Sequence, residues 1–168
     1  ALEQAIISSG GTIEFSSNGK FINDPDVVIG IFGEEPYAEM LGDLKDVSFA
    51  ETDPKFLPLL EAINAQNIPT VSIFLSGRPL EVNRQLNASD AFIAAWLPGS
   101  AVEGIADVIF IKDNKINYDF TGKLSYSWPR TKDQAVLNFT DSIYDPLFPF
   151  GYGLTYTSDL EVERIQTN

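Results

Sequence analysis

The 168-residue sequence has no cysteine and no histidine, and only one methionine. Without cysteine there is no disulfide, no thiolate nucleophile and no Cys-based zinc site. Without histidine the commonest general base and the commonest metal ligand are gone. Acid–base chemistry near neutral pH must then come from carboxylates, lysine or tyrosine. Positive charge is also scarce. Eleven Lys and Arg face 24 Asp and Glu, for a formal net charge of −13. That balance argues against nucleic acid or an anionic membrane surface as a partner. No apolar run reaches the length of a membrane span, and no basic stretch precedes a long apolar one as in a signal peptide. The sequence begins at Ala1 and opens directly in a helical pattern, as expected of a processed or truncated piece of something longer.

What is present is globular. Hydrophobic residues make up 44% and aromatics 12%, enough for one domain with a sizeable core. ALEQAIIS reads as a helix stopped by Gly10-Gly11. TIEF, Thr12 to Phe15, is a short strand candidate. Val27 to Phe32 is continuously apolar and rich in β-branched residues, as in a strand covered on both faces. Gly33 to Val47 reads as an irregular loop. A helix follows from Pro54, capped by Thr52 or Asp53, with Phe56, Leu57, Leu60 and Ile63 on its buried side. Thr70 to Leu75 is a second buried strand, RPLEVNRQL a short helix or loop, and DAFIAAWLPG a third strand. SAVEGIADVIFI predicts a helix capped by Ser100, with Val102, Ile105, Ala106 and Ile109 on one face. KLSYSWPR predicts a strand with Leu124, Tyr126 and Trp128 on one side, and YDPLFPFGYGLTY an aromatic, irregular tail.

Strands alternating with helices imply βαβ units. The expected fold class is α/β: a three-layer sandwich with a mostly parallel twisted sheet, helices on both faces, and room for one antiparallel edge strand. In such sheets ligands sit at the carboxyl ends of the strands. Three loops fall there: GEEPYAEMLGD, SGRPL and PGS.

Each candidate has a plain alternative. SGRP, Ser76 to Pro79, lacks the lysine and second glycine of a phosphate loop; Arg78 is either a surface arginine or a rigid one that orients acids or sugar hydroxyls. WLPGSAVEG places a turn before a helix start, either an anion site or a tight connection with Trp96 in the core. FPFGYGLTY either stacks sugars or plugs the sheet. Asn87-Ala88-Ser89 and Asn138-Phe139-Thr140 match the N-glycosylation pattern, and no EF-hand spacing exists among the acids. No cofactor and no metal site is called for by these motifs. The acid loop holds four carboxylates in eleven residues, Glu34, Glu35, Glu39 and Asp43. Such a loop is commonly a solvated turn. Pro36 and Tyr37 stiffen it, however, and it leaves a buried strand. A carboxyl group partly desolvated there by aromatics would hold its proton more tightly and serve as a general acid.

Taken together, GEEPYAEMLGD, VSIFLSGRPL, AFIAAWLPGSAVEGIADVIF, TGKLSYSWPR and YDPLFPFGYGLTY follow one another over most of the sequence. In that order they resemble the carboxyl-terminal α/β sandwich domain of a family 3 glycoside hydrolase, and within that family the exo-acting β-glucan glucohydrolases. The resemblance implies a retaining enzyme that removes β-linked glucose from the non-reducing ends of oligosaccharides or glucan. It implies an amino-terminal TIM-like barrel as partner, with the aspartate nucleophile on the barrel and the acid/base glutamate on this domain. The loop pattern matches Gly33, Glu34, Pro36, Tyr37, Glu39 and Gly42-Asp43. Glu39 is expected to be the acid/base. Glu34 is the alternate, or a brace paired with Arg78. Tyr37, Asp43 and Arg78 are expected to bind substrate or support the loop. Retaining chemistry needs only two carboxyl groups, which suits the missing histidine and cysteine.

The resemblance further implies a domain over residues 1–158, incomplete at its amino end and with an open sheet edge, a tail or linker over 159–168, and a secreted or periplasmic location. IKDNKINYDFTGKL is longer than the usual connection, and PGSAVEG departs from the usual pattern, leaving Glu103 without a role. The rival reading is a non-catalytic carbohydrate-binding or interaction module of α/β type. A flavodoxin-like nucleotide binder is disfavoured by the missing phosphate loop.

Overall fold

The computed structural model describes residues 1–49 and 54–167. Its elements are α1 (Leu2–Ser8), β1 (Val28–Gly33), α2 (Phe56–Asn64), β2 (Thr70–Leu75), α3 (Asn83–Asn87), β3 (Ala91–Ala94), α4 (Glu103–Ile109), β4 (Ile111–Lys112) and β5 (Lys115–Ile116). A single 3-10 turn, Met40–Gly42, interrupts the loop after β1. Strands β1, β2 and β3 form a parallel sheet in that order. The register pairs Val28 with Thr70 and Gly33 with Leu75, then Val71 with Ala91 and Phe74 with Ala94.

Alternation along the strands assigns the two faces. Gly30, Phe32, Ser72, Phe74 and Phe92 share one face. A side chain at Gly30 would press on Phe56 and Leu60, so α2 lies directly over that glycine. Leu57, Leu60 and Ile63 of α2 are buried, as their helical spacing predicts, and Phe56 meets the Phe32 ring at 4.6 Å. On the other face Ile73 is only 1% exposed. Helices α2 and α3 pack on each other, as do α1 and α4. The result is the α/β sandwich with helices on both faces. Thr52 and Asp53, the expected cap of α2, lie outside the described residues.

The core is aromatic. Phe74, Leu80, Val82 and Trp128 are buried together, with Phe32, Phe49, Phe92, Trp96 and Phe148 packed around them. Ring centroids stand 5.2 Å apart for Phe32–Phe74 and Phe49–Phe74, and 6.4 Å for Phe74–Trp128. These are contact distances for tilted and edge-on pairs. Among the described residues no helix is long and apolar enough to cross a membrane.

Several expectations need correction. Thr12 to Phe15 form no strand: Phe15 is 78% exposed and no neighbouring edge pairs with the segment. Alternation without a ladder partner does not hold a strand. Lys123 to Arg130 form no continuous strand either. The segment touches the tail at two separate points, where Leu124 bonds with Gly151 and Tyr152, and Trp128 with Leu147 and Phe148. The turn between them leaves Tyr126 71% exposed while Trp128 is buried, so the predicted common face does not exist. Helix α4 begins at Glu103, not after Ser100, and has no side-chain cap; backbone turns over 98–104 carry the chain into it. Among the described residues the antiparallel pairing lies in a separate two-stranded ribbon, β4–β5, and in the isolated Trp128–Phe148 bridge, and neither adds a strand to the main sheet.

The tail is a plug where Phe148 stacks on Tyr152 at 4.6 Å and borders the core. Tyr156 fastens its end, donating through its hydroxyl to the Val108 carbonyl of α4. The Phe74 side chain touches both the sheet and Trp128. Phe74→Ala should therefore destabilise the fold by about 3–5 kcal/mol, read as a shift in the urea midpoint at unchanged slope.

Candidate active site

The register of β1 against β2 sets the site. Gly33 stands opposite Leu75, and a Cβ at Gly33 would overlap the Leu75 carbonyl oxygen, so this close approach requires glycine. Glu34 follows directly, its N–H donating to that same carbonyl at 3.0 Å. Its side chain is thereby delivered to the Ser76-Gly77-Arg78 turn at the end of β2. Arg78 Nε and Nη2 donate to Glu34 Oε1 at 3.0 and 2.8 Å, and the Ser76 hydroxyl shares its one proton between Glu34 Oε2 at 2.8 Å and the Arg78 carbonyl at 2.5 Å. Both carboxylate oxygens of Glu34 are engaged. The pair is largely shielded, with side-chain exposures of 11% for Glu34 and 22% for Arg78.

Arg78 reaches further along the acid loop. Its Nη1 donates to the Gly42 carbonyl at 2.6 Å, and its guanidinium lies over the Tyr37 ring, 4.1 Å from the centroid. The Tyr37 hydroxyl sits against Gly77, where a Cβ would overlap it. The sequence suggests aromatics that desolvate an acid of the loop. Instead Tyr37 lies beneath Arg78, and Glu39 is exposed to solvent. Glu35 and Asp43 are exposed as well. Exposed apolar side chains share the loop and its neighbour: Met40 at 90% and Leu41 at 75% follow Glu39, and Leu97 at 72% lies beside Gly77.

Beyond Asp43 the loop is fastened again. Val47 N donates to the Lys132 carbonyl, Glu81 N to the Val47 carbonyl, and Phe49 N to the Glu81 carbonyl, at 2.8, 2.7 and 3.2 Å. Asp46 closes a local turn by accepting from the Ser48 hydroxyl at 2.5 Å and the Ser48 N–H at 3.0 Å. The Ser48 hydroxyl bond, then the backbone bond, hold the Asp46 carboxyl below its ordinary value of 3.8, with Lys132 adding a smaller pull.

An open cleft of about 840 Å³ lies between this loop and the 125–138 segment. Asp43, Arg78, Trp96, Tyr126, Gln134 and Asn138 line it. Trp96 has a left-handed backbone, φ 54°, and its ring packs 6.0 Å from Trp128, so it belongs to both core and cleft. Among the described residues no three acidic side chains are grouped to hold a metal ion.

The 131–137 part of this wall has no counterpart in the sequence analysis. Gln134 shapes it, accepting from the N–H groups of Arg130 and Thr131 and donating to the Asp145 carbonyl. A glutamine four residues after an arginine is not a turn signal by itself. The Asn87 glycosylation pattern is occupied in another way: its amide donates to the Ile165 carbonyl and accepts from the Ile165 N–H, at 2.8 and 2.9 Å.

Comparison with known proteins then decides the family. The model of the glycosyl hydrolase family 3 C-terminal domain matches residues 3–156. The chain belongs to that family. An exo-1,3/1,4-β-glucanase from a Pseudoalteromonas species is similar in structure, with a TM-score of 0.94, 50% identity, and coverage of 99% of this chain and 21% of that one. The periplasmic β-glucosidase of Salmonella typhimurium is 28% identical over 79% of this chain and 19% of its own length. The lysosomal β-glucosidase of Dictyostelium discoideum is 33% identical over 79% of this chain and 16% of its own. This family 3 domain thus spans about a fifth of the proteins it matches.

Two stability measurements check the site. Glu34→Ala strands a shielded guanidinium and should cost about 1–3 kcal/mol, less than a fully buried pair because Arg78 keeps some solvent contact. Asp46 has a depressed folded-state value, so it stabilises above 3.8 and loses that contribution as pH falls through the lower folded value. Asp46→Asn should therefore flatten the fall of the melting temperature on acidification below about pH 4.

Proposed function

We propose that this chain is the acid/base-carrying domain of a retaining exo-acting β-glucosidase or β-glucan glucohydrolase. Its active site would be completed by a TIM-like barrel carrying the aspartate nucleophile. The observation that carries this reading is the acid loop itself. It is clamped to the carboxyl end of the parallel sheet at Glu34, Tyr37 and Gly42, and it presents Glu39 outward between the clamps.

Glu39 is the proton donor. Both oxygens of Glu34 are taken by Arg78 and Ser76, so releasing Glu34 for proton transfer would break the anchor of the loop. The exposed Met40 and Leu41 next to Glu39, with Leu97 beside Gly77, offer the apolar surface on which a barrel would close. That closure would remove water from Glu39, as an acid of this kind requires.

The steps follow from the two carboxyl groups, about 5–5.5 Å apart in retaining enzymes. The proton of the Glu39 carboxyl passes to the glycosidic oxygen as the bond from that oxygen to the anomeric carbon breaks. The barrel aspartate forms its bond to the same carbon. Water then attacks that carbon, gives its proton to the Glu39 carboxylate, and frees the aspartate. Asp43 and Arg78, on the wall of the cleft, would support substrate or loop.

The substrates are β-linked glucose oligosaccharides or glucan, as the names of the similar glucanase and β-glucosidases support. A relative named β-xylosidase from Formosa agariphila, 31% identical, makes the sugar itself a matter for assay. A secreted or periplasmic location is in keeping with the relative named periplasmic.

Trp96 and Tyr126 on the cleft favour one further reading, a carbohydrate-binding module that works alone. Micromolar binding of glucan oligosaccharides by the isolated chain in calorimetry would establish it.

The catalytic reading is tested in the complete protein. Glu39→Gln should lower kcat/KM on glucosides with poor leaving groups by about 10²–10⁴-fold, and far less on activated aryl glucosides. Equal loss on both classes, with the leaving-group dependence moved to Glu34→Gln, would reverse the assignment.

A further inference from the structure

The geometry points to the Ser76-Gly77-Arg78 turn as a positioning platform for the proton donor, with Arg78 as the positioning residue and Gly77 as the gap that admits Tyr37. This rests on the assignment of Glu39 made above and adds a device that controls it.

One guanidinium makes three kinds of contact with one loop. Two nitrogens hold the carboxylate at its start, Glu34; the third holds a carbonyl at its end, Gly42; and the planar face covers a ring at its middle, Tyr37. Glu39 lies between the ring and the carbonyl, two residues after Tyr37 and three before Gly42. Only an arginine has the planar fork and the stacking face to do this at once. A lysine is a single point charge on a flexible stem. Ser76 ties the turn to the carboxylate: its hydroxyl lies 2.8 Å from the second Glu34 oxygen and 2.5 Å from the Arg78 carbonyl, and the Arg78 N–H donates to that hydroxyl at 3.1 Å.

Gly77 has a separate part. Its φ is not in the left-handed region, so backbone freedom does not explain it. Space does. A Cβ at Gly77 would overlap the Tyr37 hydroxyl and come within 3.2 Å of the ring carbon that bears it. Tyr37 is therefore seated in the notch left by the missing side chain, with Arg78 over its ring and Gly42 at its edge. The SGRP motif is a socket for a tyrosine. Moving that tyrosine moves the segment that displays Glu39.

The test uses the complete protein with its preceding segment. Four variants are compared: Gly77→Ala, Tyr37→Phe, the two combined, and Arg78→Lys. Each is assayed on one activated aryl glucoside and one alkyl glucoside with a poor leaving group, and its melting temperature is measured. Misplacing a general acid by about an ångström should cost about 10–100-fold, and only where the leaving group needs the proton. Gly77→Ala should show that split. Removing the tyrosine hydroxyl as well should relieve the overlap and return the double variant to within about fivefold of Tyr37→Phe alone, since acid catalysis is again in reach. Arg78→Lys should show the same split together with a lower melting temperature, since the fork, the Gly42 bond and the ring contact are lost.

Equal losses on both substrates for Gly77→Ala, or no recovery in the double variant, would overturn the platform. Arg78→Lys with an unchanged leaving-group dependence would overturn the part given to Arg78. These results are read against Glu39→Gln. If that variant shows no leaving-group dependence, the assignment of the acid fails, and it fails in a measurement independent of Gly77 and Arg78.

Discussion

The parallel register of β1 against β2 is the constraint on which the site depends. It sets Gly33 across from Leu75 so tightly that only glycine fits, and it therefore fixes where the chain leaves the sheet. One residue later Glu34 is in reach of Ser76 and Arg78. A slip by one residue would turn Glu34 to the opposite side and leave Arg78 without its partner. The register is held in turn by Phe32 and Phe74, which face each other across the same pair of strands and share the aromatic core with Trp128. Packing, pairing and the placement of the acid loop are thus one arrangement.

Much of this was legible because it rests on strong local signals. Thr70 to Leu75 is continuously apolar or β-branched apart from Ser72, and the strand spans those same residues. Leu57, Leu60 and Ile63 recur at helical spacing and are buried on α2. The pairing of Glu34 with Arg78 could be reasoned from two loops at the ends of neighbouring strands. The misses share a physical cause. Thr12 to Phe15 and Lys123 to Arg130 have strand-like composition, but a strand exists only with a partner, and composition does not show the partner. Tyr126 and Trp128 differ in exposure because a turn between Leu124 and Trp128 breaks the alternation. The cleft wall built by Gln134 depends on contacts with residues up to eleven positions away, which no short motif encodes.

The exposed side chains complete the account. Glu39 is exposed, and so are Met40 and Leu41 beside it. Under the proposed function, this face is the one on which a barrel would rest. Under that reading the isolated domain holds its acid in a fixed place before the other half of the site is present. The order of binding energies matters here. Arg78 commits its contacts to the loop, so under the proposed function Glu39 would be positioned in advance of any sugar.

The connection after α4 has a consequence of a different kind. It holds β4 and β5, joined through Asp113 and Asn114, both in the left-handed conformation that suits a two-residue hairpin turn. The ribbon pairs with itself and adds no strand to the main sheet. Length can be gained or lost at its tip without shifting the register that holds Glu34. The tip is accordingly a place where a fluorophore, an affinity tag or a whole inserted domain could be grafted, giving a handle on the domain that leaves its acid loop untouched.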